Sequence, residues 1–314
     1  MSTETSATPA ETKAKVVKEK AVTTPRPFLK WVGGKGQLLP ELRKYVPQEF
    51  NAYHEPFLGG GAMVFDLARS GVFADGSHRA YLSDTNERLV RTYRAVRDGL
   101  DTVVDARGGP SLAAQLSLLQ ENGNTESVFA YMKDAQVASP RLETREDAYV
   151  AAWMIYINKT CFNGLFRVNS KGAFNVGFGA CKNPKIFDRE NLHACSLALQ
   201  RAFADLRCQH WSEALRDVDK HDFVYADPPY LPAQKGGFVS YGASRFGLDD
   251  HASLAARLAD IKKQGTHIIV SQSDDPRIRE LYPESVFSLH RVEARRSVNS
   301  KGSERGPVGE LIIT

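Results

Sequence analysis

Only four cysteines occur in the 314 residues, Cys161, Cys181, Cys195 and Cys208, without close pairing and without histidines at zinc-binding spacing. Neither a disulfide framework nor a structural zinc site is supported, and a reducing compartment is expected. No apolar run approaches the roughly 18 residues of a membrane span, and the N-terminus has no signal-peptide core. The chain is therefore expected to be soluble and cytoplasmic, with no membrane partner. A strong net charge is also missing: 41 Lys plus Arg against 37 Asp plus Glu leave +4, which permits a polyanionic partner without requiring one. Residues 1–26 contain no large aromatic and no apolar periodicity, so a disordered tail is expected there. Of the whole chain, 42% is hydrophobic, enough for the core of one large domain or two ordinary ones.

The stretch HDFVYADPPY, residues 221 to 230, reads as a buried strand that ends in an acid, two prolines and an aromatic. Pro228 and Pro229 cannot continue a hydrogen-bond ladder, so the strand must stop at Asp227. A stiff turn follows at the carboxyl end of a strand, where open α/β sheets place their ligands. Upstream, FLKWVGGKGQLLPEL sets an apolar entry segment before Gly33 and Gly34 and predicts a helix from Gln37. The glycine pair lets backbone approach a ligand, and Lys35 adds a point charge. Then AYHEPFLGGGAMVFDLARSG predicts a strand, a glycine turn over Gly59, Gly60 and Gly61, and a helix through Val64, Leu67 and Ala68. The dinucleotide fingerprint's third glycine is missing, which disfavours NAD or FAD. Twenty-three residues after Gly61, a short β run ends at Asp84. An acid there can accept hydrogen bonds from ribose hydroxyls, or can cap the following helix.

Strand and helix alternate again near the far end, with a helix over 249–265 followed by the strand THIIVSQSD. Between Ser83 and Trp211 the alternation lapses into helical stretches and a polar segment, NKTCFNGLFRVNSKGAFNVGFG, which reads as an inserted lobe. The run RVEARRSVNSKGSER, residues 291 to 305, holds five basic side chains and two acids.

Six motifs in this order, FLKWVGGKG, EPFLGGGAMVF, SDTN, NKTCFNGLFRVNSKGAFNV, DPPY and ARRSVNSKGSERGPVGELII, make the chain resemble the Dam-type (D12 class, alpha group) site-specific DNA adenine methyltransferases. The resemblance spans about residues 28 to 314. It implies an α/β fold, a Rossmann-like S-adenosylmethionine-dependent methyltransferase sheet with an inserted, mainly helical DNA target-recognition lobe. The implied division is a tail over 1–26, a catalytic domain over 27–94 and 206–314, and a recognition domain over 95–205.

The implied chemistry is methyl transfer from S-adenosyl-L-methionine to the exocyclic amine of an adenine flipped out of double-stranded DNA. Asp227 and the Pro228 carbonyl would accept the amine hydrogens, Pro229 would stiffen the turn, and Tyr230 would stack on the base. Such catalysis is largely positioning and needs no metal. Trp31, Gly33, Lys35, Phe57, Gly59, Gly61, Asp84, Trp211 and Asp227 match the cofactor positions. Where the family often has an acid with an aromatic after the third strand, this chain has His210 and Trp211. Lys30, Asn163, Leu165 and Arg167 match positions that read DNA, and arginine is suited to guanine. Arg295 and Arg296 match phosphate contacts. A GATC site, or one sharing its GA core, is expected. Gly177 replaces a proline of the family's FNVP and offers no ring to a thymine methyl, so relaxed choice at the third base is expected as well; Cys181 stands where an aromatic contact to an outer base is common.

No Pro-Cys dipeptide occurs, which argues against cytosine carbon methylation, and no nuclease signature occurs, so any restriction endonuclease would be a separate partner. A monomer or weak dimer is expected. The alternatives are an amino-methyltransferase acting on RNA or protein, which would not need the lobe and basic motifs, and a non-catalytic DNA-binding relative, which would have lost Asp227 or the glycine loop.

Overall fold

The computed structural model describes residues 23–102, 109–137, 146–231, 246–295 and 307–314. Its seven strands are β1 (Ala52–Glu55), β2 (Arg79–Asp84), β3 (Asp205–Cys208), β4 (Phe223–Ala226), β5 (His267–Ser273), β6 (Leu289–Arg295) and β7 (Pro307–Ile313). They form one sheet in the order β3-β2-β1-β4-β5-β7-β6. The first five strands are parallel, while β7 runs antiparallel between β5 and β6. This is the doubly wound order with one reversed strand slotted into its edge, a mixed α/β sheet of the expected methyltransferase class. The strand order reverses between β1 and β4, so a crevice opens where Glu55 and Asp227 end their strands.

Period-two alternation decides which face each residue fills. Along β4, Phe223 and Tyr225 enter one buried cluster, and Val224 and Ala226 enter the other. Both faces of this strand are covered, as a central parallel strand requires. The first cluster is closed by α2 (Ala62–Arg69), α3 (Glu87–Asp98), α6 (Asp147–Thr160) and α7 (Arg189–Arg201). The second is closed by α8 (Trp211–Ala214), α9 (Leu248–Lys263) and α10 (Pro276–Leu281).

The helix predicted from Gln37 is a single turn, α1 (Leu39–Leu42), followed by a 3-10 turn over Arg43–Tyr45. Pro40 suits a first turn, and Val46, already extended before Pro47, ends it. The span from 95 to 205 holds α4 (Leu112–Asn122), α5 (Glu126–Val137), α6 and α7. A boundary after residue 94 falls inside α3, and Trp153 and Tyr156 of α6 share their core with Phe65 and Tyr93 beneath the sheet. These helices are therefore rooted in the sheet's own core. Among the described residues, no helix is long and apolar enough to cross a membrane.

Candidate active site and DNA-facing surface

Asp227 follows β4 directly, and its carboxylate meets Lys35 Nζ at 2.9 Å, with one-fifth of the Asp227 side chain exposed and Lys35 buried. Gly33 adopts φ +80, and its carbonyl accepts a second hydrogen bond from Lys35 Nζ at 2.8 Å. The same ammonium lies 4.6 Å from the centre of the Tyr230 ring. A single cation thus bridges the glycine turn, the acid and the aromatic. Burial pushes the Asp227 carboxyl up to about 6; Lys35 opposes that rise and the nearby Glu310 charge adds to it.

The rest of the turn is braced from the sheet. The Tyr230 hydroxyl donates to Glu310 Oε2 on β7 at 3.2 Å, and Gln272 Nε2 on β5 donates to the Pro228 carbonyl at 3.3 Å. A carbonyl has two lone pairs, so Pro228 keeps one for a ligand. Behind the prolines, His251 of α9 is fully buried and edge-on to Phe246 at 4.6 Å, and Phe246 is edge-on to Phe57 at 5.7 Å. Burial drives the His251 imidazole down to about 4, so it stays neutral near pH 7.

Across the crevice, Gly59 at φ +47 and Gly61 at φ +67 form the turn that opens α2. A methyl group on Gly59 would sit 2.9 Å from Trp31 Cδ1, and one on Gly60 would sit 3.1 Å from Trp31 Cβ. Asp84 Oδ2 accepts from the Gly59 amide at 3.0 Å, and Oδ1 accepts from the Asn86 amide at 2.9 Å. The side-chain cap of α3 is Asn86, which accepts from Leu89 N–H, so Asp84 divides its oxygens between the glycine turn and the Asn86 amide that leads into the helix. Burial raises the Asp84 carboxyl, against the pull of the Asn86 and Gly59 amides. Glu55, fully buried at the end of β1, accepts from the Tyr53 hydroxyl at 2.8 Å. Burial pushes Glu55 up to about 8, with Asp227 and Asp84 adding to the rise. Trp211 begins α8 beyond β3, buried, and its indole nitrogen has no partner among the described residues.

These groups fit a nucleoside-bearing cationic cofactor. Glycines crowd Trp31 where side chains would clash, Asp84 stands at a strand end, and Trp211 keeps a buried donor with no partner among the described residues. The Asp84 and Asp227 charges both bear on Glu55, and among the described residues Lys35 is the cation that pairs with Asp227.

The predicted DNA readers form a second group joined to the first through Trp31, which stacks on Phe166 with centroids 5.8 Å apart. Lys30 is exposed beside it. Asn163, in the left-handed region at φ 55, and exposed Phe162 lie at the tip of a 3-10 turn. Leu165 is half-buried, and the exposed Arg167 donates through Nε to Asn175 Oδ1 at 2.8 Å. Gly177 is exposed with nothing within 4 Å of where a side chain would start, and Cys181 is half-buried. Arg295 ends β6, while its side chain and all of Arg296 lie outside the described residues.

Glu55, Asn158 and Glu310 are site neighbours that the sequence does not single out. Each is a polar residue beside buried apolar or aromatic neighbours, in AYHEPF, AAWMIYIN and VGELII, and that contrast is the available signal.

The doubly wound sheet places this crevice at its switch point, where such folds bind ligands. Residues 31–298 match the family described as D12 class N6 adenine-specific DNA methyltransferase, and the chain belongs to that family. It is 35% identical over 296 residues to the Type II methyltransferase M.MjaIII of Methanocaldococcus jannaschii, covering 92% of this chain and 98% of the relative. It is 33% identical over 292 residues to the Type II methyltransferase M1.LlaDCHI of Lactococcus lactis subsp. cremoris, covering 92% and 95%. To the DNA adenine methylase of Escherichia coli K12 it is 30% identical over 288 residues, covering 91% and 94%. The chain is a site-specific adenine DNA methyltransferase.

Proposed function

We propose that the chain methylates the exocyclic amine of adenine within a GATC site, or a site sharing its GA core, after flipping that base out of double-stranded DNA. The observation that carries this reading is the seat of Lys35. Its ammonium is 2.9 Å from the Asp227 carboxylate and 4.6 Å from the centre of the Tyr230 ring, the two contacts an adenine amine and ring would make there. A base entering the turn exchanges with Lys35 for the same acceptor.

Asp227 accepts one amine hydrogen and the free lone pair of the Pro228 carbonyl accepts the other, which draws the nitrogen toward tetrahedral geometry. Gln272 and Glu310 hold Pro228 and Tyr230 in place beforehand, so little reorganisation accompanies the reaction. Bound S-adenosylmethionine supplies a methyl group already activated as a sulfonium. Trp31, Gly33, Lys35, Phe57, Gly59, Gly61, Asp84 and Trp211 would hold it.

On the DNA side, Lys30 and Arg167 suit guanine, Asn163 and Leu165 complete the reading turn, and Arg295 and Arg296 suit phosphates. Phe162, 54% exposed beside Asn163, has the size and polarity of an apolar wedge that unstacks bases. The bare surface at Gly177 supports relaxed choice at the third base. In this reading residues 95–205 are the recognition lobe, the chain works in the cytoplasm as a monomer or weak dimer, and any endonuclease is a separate chain.

Sequencing methylated adenines in DNA from cells that express only this chain tests the proposal. GATC sites with tolerance at the third base are expected. Methylated sites without a GA core would refute the recognition assignment. Labelled cofactor offered to DNA, RNA and protein in parallel should mark DNA alone.

A further inference from the structure

Asn158 sits in the last turn of α6, and its side chain is buried directly after the apolar and aromatic run from Val150 to Ile157. A carboxamide left unpaired there would carry the full desolvation penalty of its polar atoms, so its partners matter. All of them belong to the two segments that carry the proposed base readers. Asn158 Oδ1 accepts from the Lys30 amide at 2.8 Å, and Nδ2 donates to the Lys30 carbonyl at 2.7 Å and to the Gly164 carbonyl at 3.0 Å. The carboxamide imitates a strand partner for Lys30 while gripping the turn that contains Asn163.

Gly164 completes the joint. At φ +67 its bare Cα lies under Lys30, and a methyl group there would sit 2.7 Å from Lys30 Cδ and 2.9 Å from Lys30 Cβ. The Lys30 stem therefore runs across Gly164, between Asn163 and Leu165. On the other side, Trp31 stacks on Phe166. Two segments more than a hundred residues apart in sequence are locked into one reading edge.

We propose that Asn158 is a specificity-positioning residue, which through its three hydrogen bonds to Lys30 and Gly164 fixes the spacing between the Lys30 reader and the Asn163–Arg167 reader. The proposal rests on the reading above, in which both readers face DNA bases. Asn158 touches no base. Its effect is on register: two long side chains on independently mobile segments could follow a mismatched site, whereas two readers on one rigid edge cannot. Discrimination should depend on Asn158 even though it lies beneath the surface that meets DNA.

The test measures kcat/KM on a duplex with the preferred site and on duplexes altered at one base pair each. Asn158→Ala should lower the ratio of preferred to altered sites by about tenfold, the scale of one lost base discrimination. In a double-mutant cycle, adding Asn158→Ala to Lys30→Ala should lower discrimination at the Lys30 base pair no further than Lys30→Ala alone, because the positioned group is gone. A purely structural defect would lower activity on all duplexes alike and add to Lys30→Ala. An unchanged ratio in folded Asn158→Ala, or additive effects in the cycle, overturns the proposal. If Asn158→Ala fails to fold by thermal melting, Gly164→Ala decides the matter, since it displaces Lys30 with Asn158 intact: a similar loss of ratio upholds the joint, and a wild-type ratio overturns it. If Lys30→Ala and Arg167→Ala themselves leave the ratio unchanged, the DNA-facing reading fails first.

Discussion

Replacing Lys35 with Met removes the cation that holds Asp227 ionised and leaves a side chain of similar length. A pair at 2.9 Å in an effective dielectric of about 20 interacts by at most ~6 kcal/mol. The exposed fifth of the Asp227 side chain reduces this. An opposite charge at such range commonly lowers a carboxyl pKa by about 1 to 3, so its removal should lift Asp227 from about 6 to roughly 8, taking the middle of that range. In the proposed mechanism the ionised Asp227 is the stronger acceptor for its amine hydrogen, so activity should fall as pH drops through its pKa. At pH 7 the ionised fraction drops from roughly nine-tenths to roughly one-tenth, a loss of about tenfold in kcat/KM that disappears above about pH 9. The assay is incorporation of labelled methyl into DNA at saturating cofactor, from about pH 5.5 to 9.5. An acid limb at the same pH in both proteins would refute the reasoning, whatever the absolute rates.

Gly59→Ala forces a side chain into φ +47 and against Trp31 at 2.9 Å; cofactor affinity by calorimetry should fall by about tenfold or more, the scale of 1–3 kcal/mol of local strain, and an unchanged affinity would place the cofactor elsewhere. Glu55 has its folded pKa raised to about 8, so its contribution is fully present below about pH 4 and is lost as pH rises toward 8, with a slope up to about 1.4 kcal/mol per pH unit. In Glu55→Gln that decline should be missing from denaturant-melt stabilities across this window, and parallel curves for the two proteins would contradict it. Arg167→Ala should cost about 1–3 kcal/mol of discrimination at one guanine, seen as new methylated sites differing at that base, and an unaltered site spectrum would remove Arg167 from the readers.

The parts of the site that could be read from sequence are those where the chain must break a regular pattern. Pro228 and Pro229 end a strand wherever they occur, and the glycines at 59 and 61 take left-handed conformations that need no partner to explain them. Asp84 is legible as an acid at a strand end, but its division between the Gly59 and Asn86 amides depends on the Asn86 side chain serving as the helix cap. Glu55, Asn158 and Glu310 matter through partners distant in the chain or hidden in a core, and residue type alone does not reveal those partners. The end of α1 is different, because its signals are local: Pro40 and the extended Val46 before Pro47 confine the helix expected from Gln37 to one turn. The slot taken by β7 was invisible, because sequence order gives no hint that a later strand will enter between two earlier ones.

That slot has a consequence for how the protein is made. β7 follows β6 in the chain yet pairs with β5 on one side and β6 on the other. As the polypeptide emerges from the ribosome, β5 has an open edge and β6 has no strand to join until residues 307–313 appear. Tyr230 likewise lacks its Glu310 anchor until then. Such long-range closure is slow and leaves apolar strand edges exposed meanwhile. The newborn chain should thus pass through a stage in which the parallel half of the sheet exists without a finished catalytic turn, and methyl transfer should appear only after β7 has inserted.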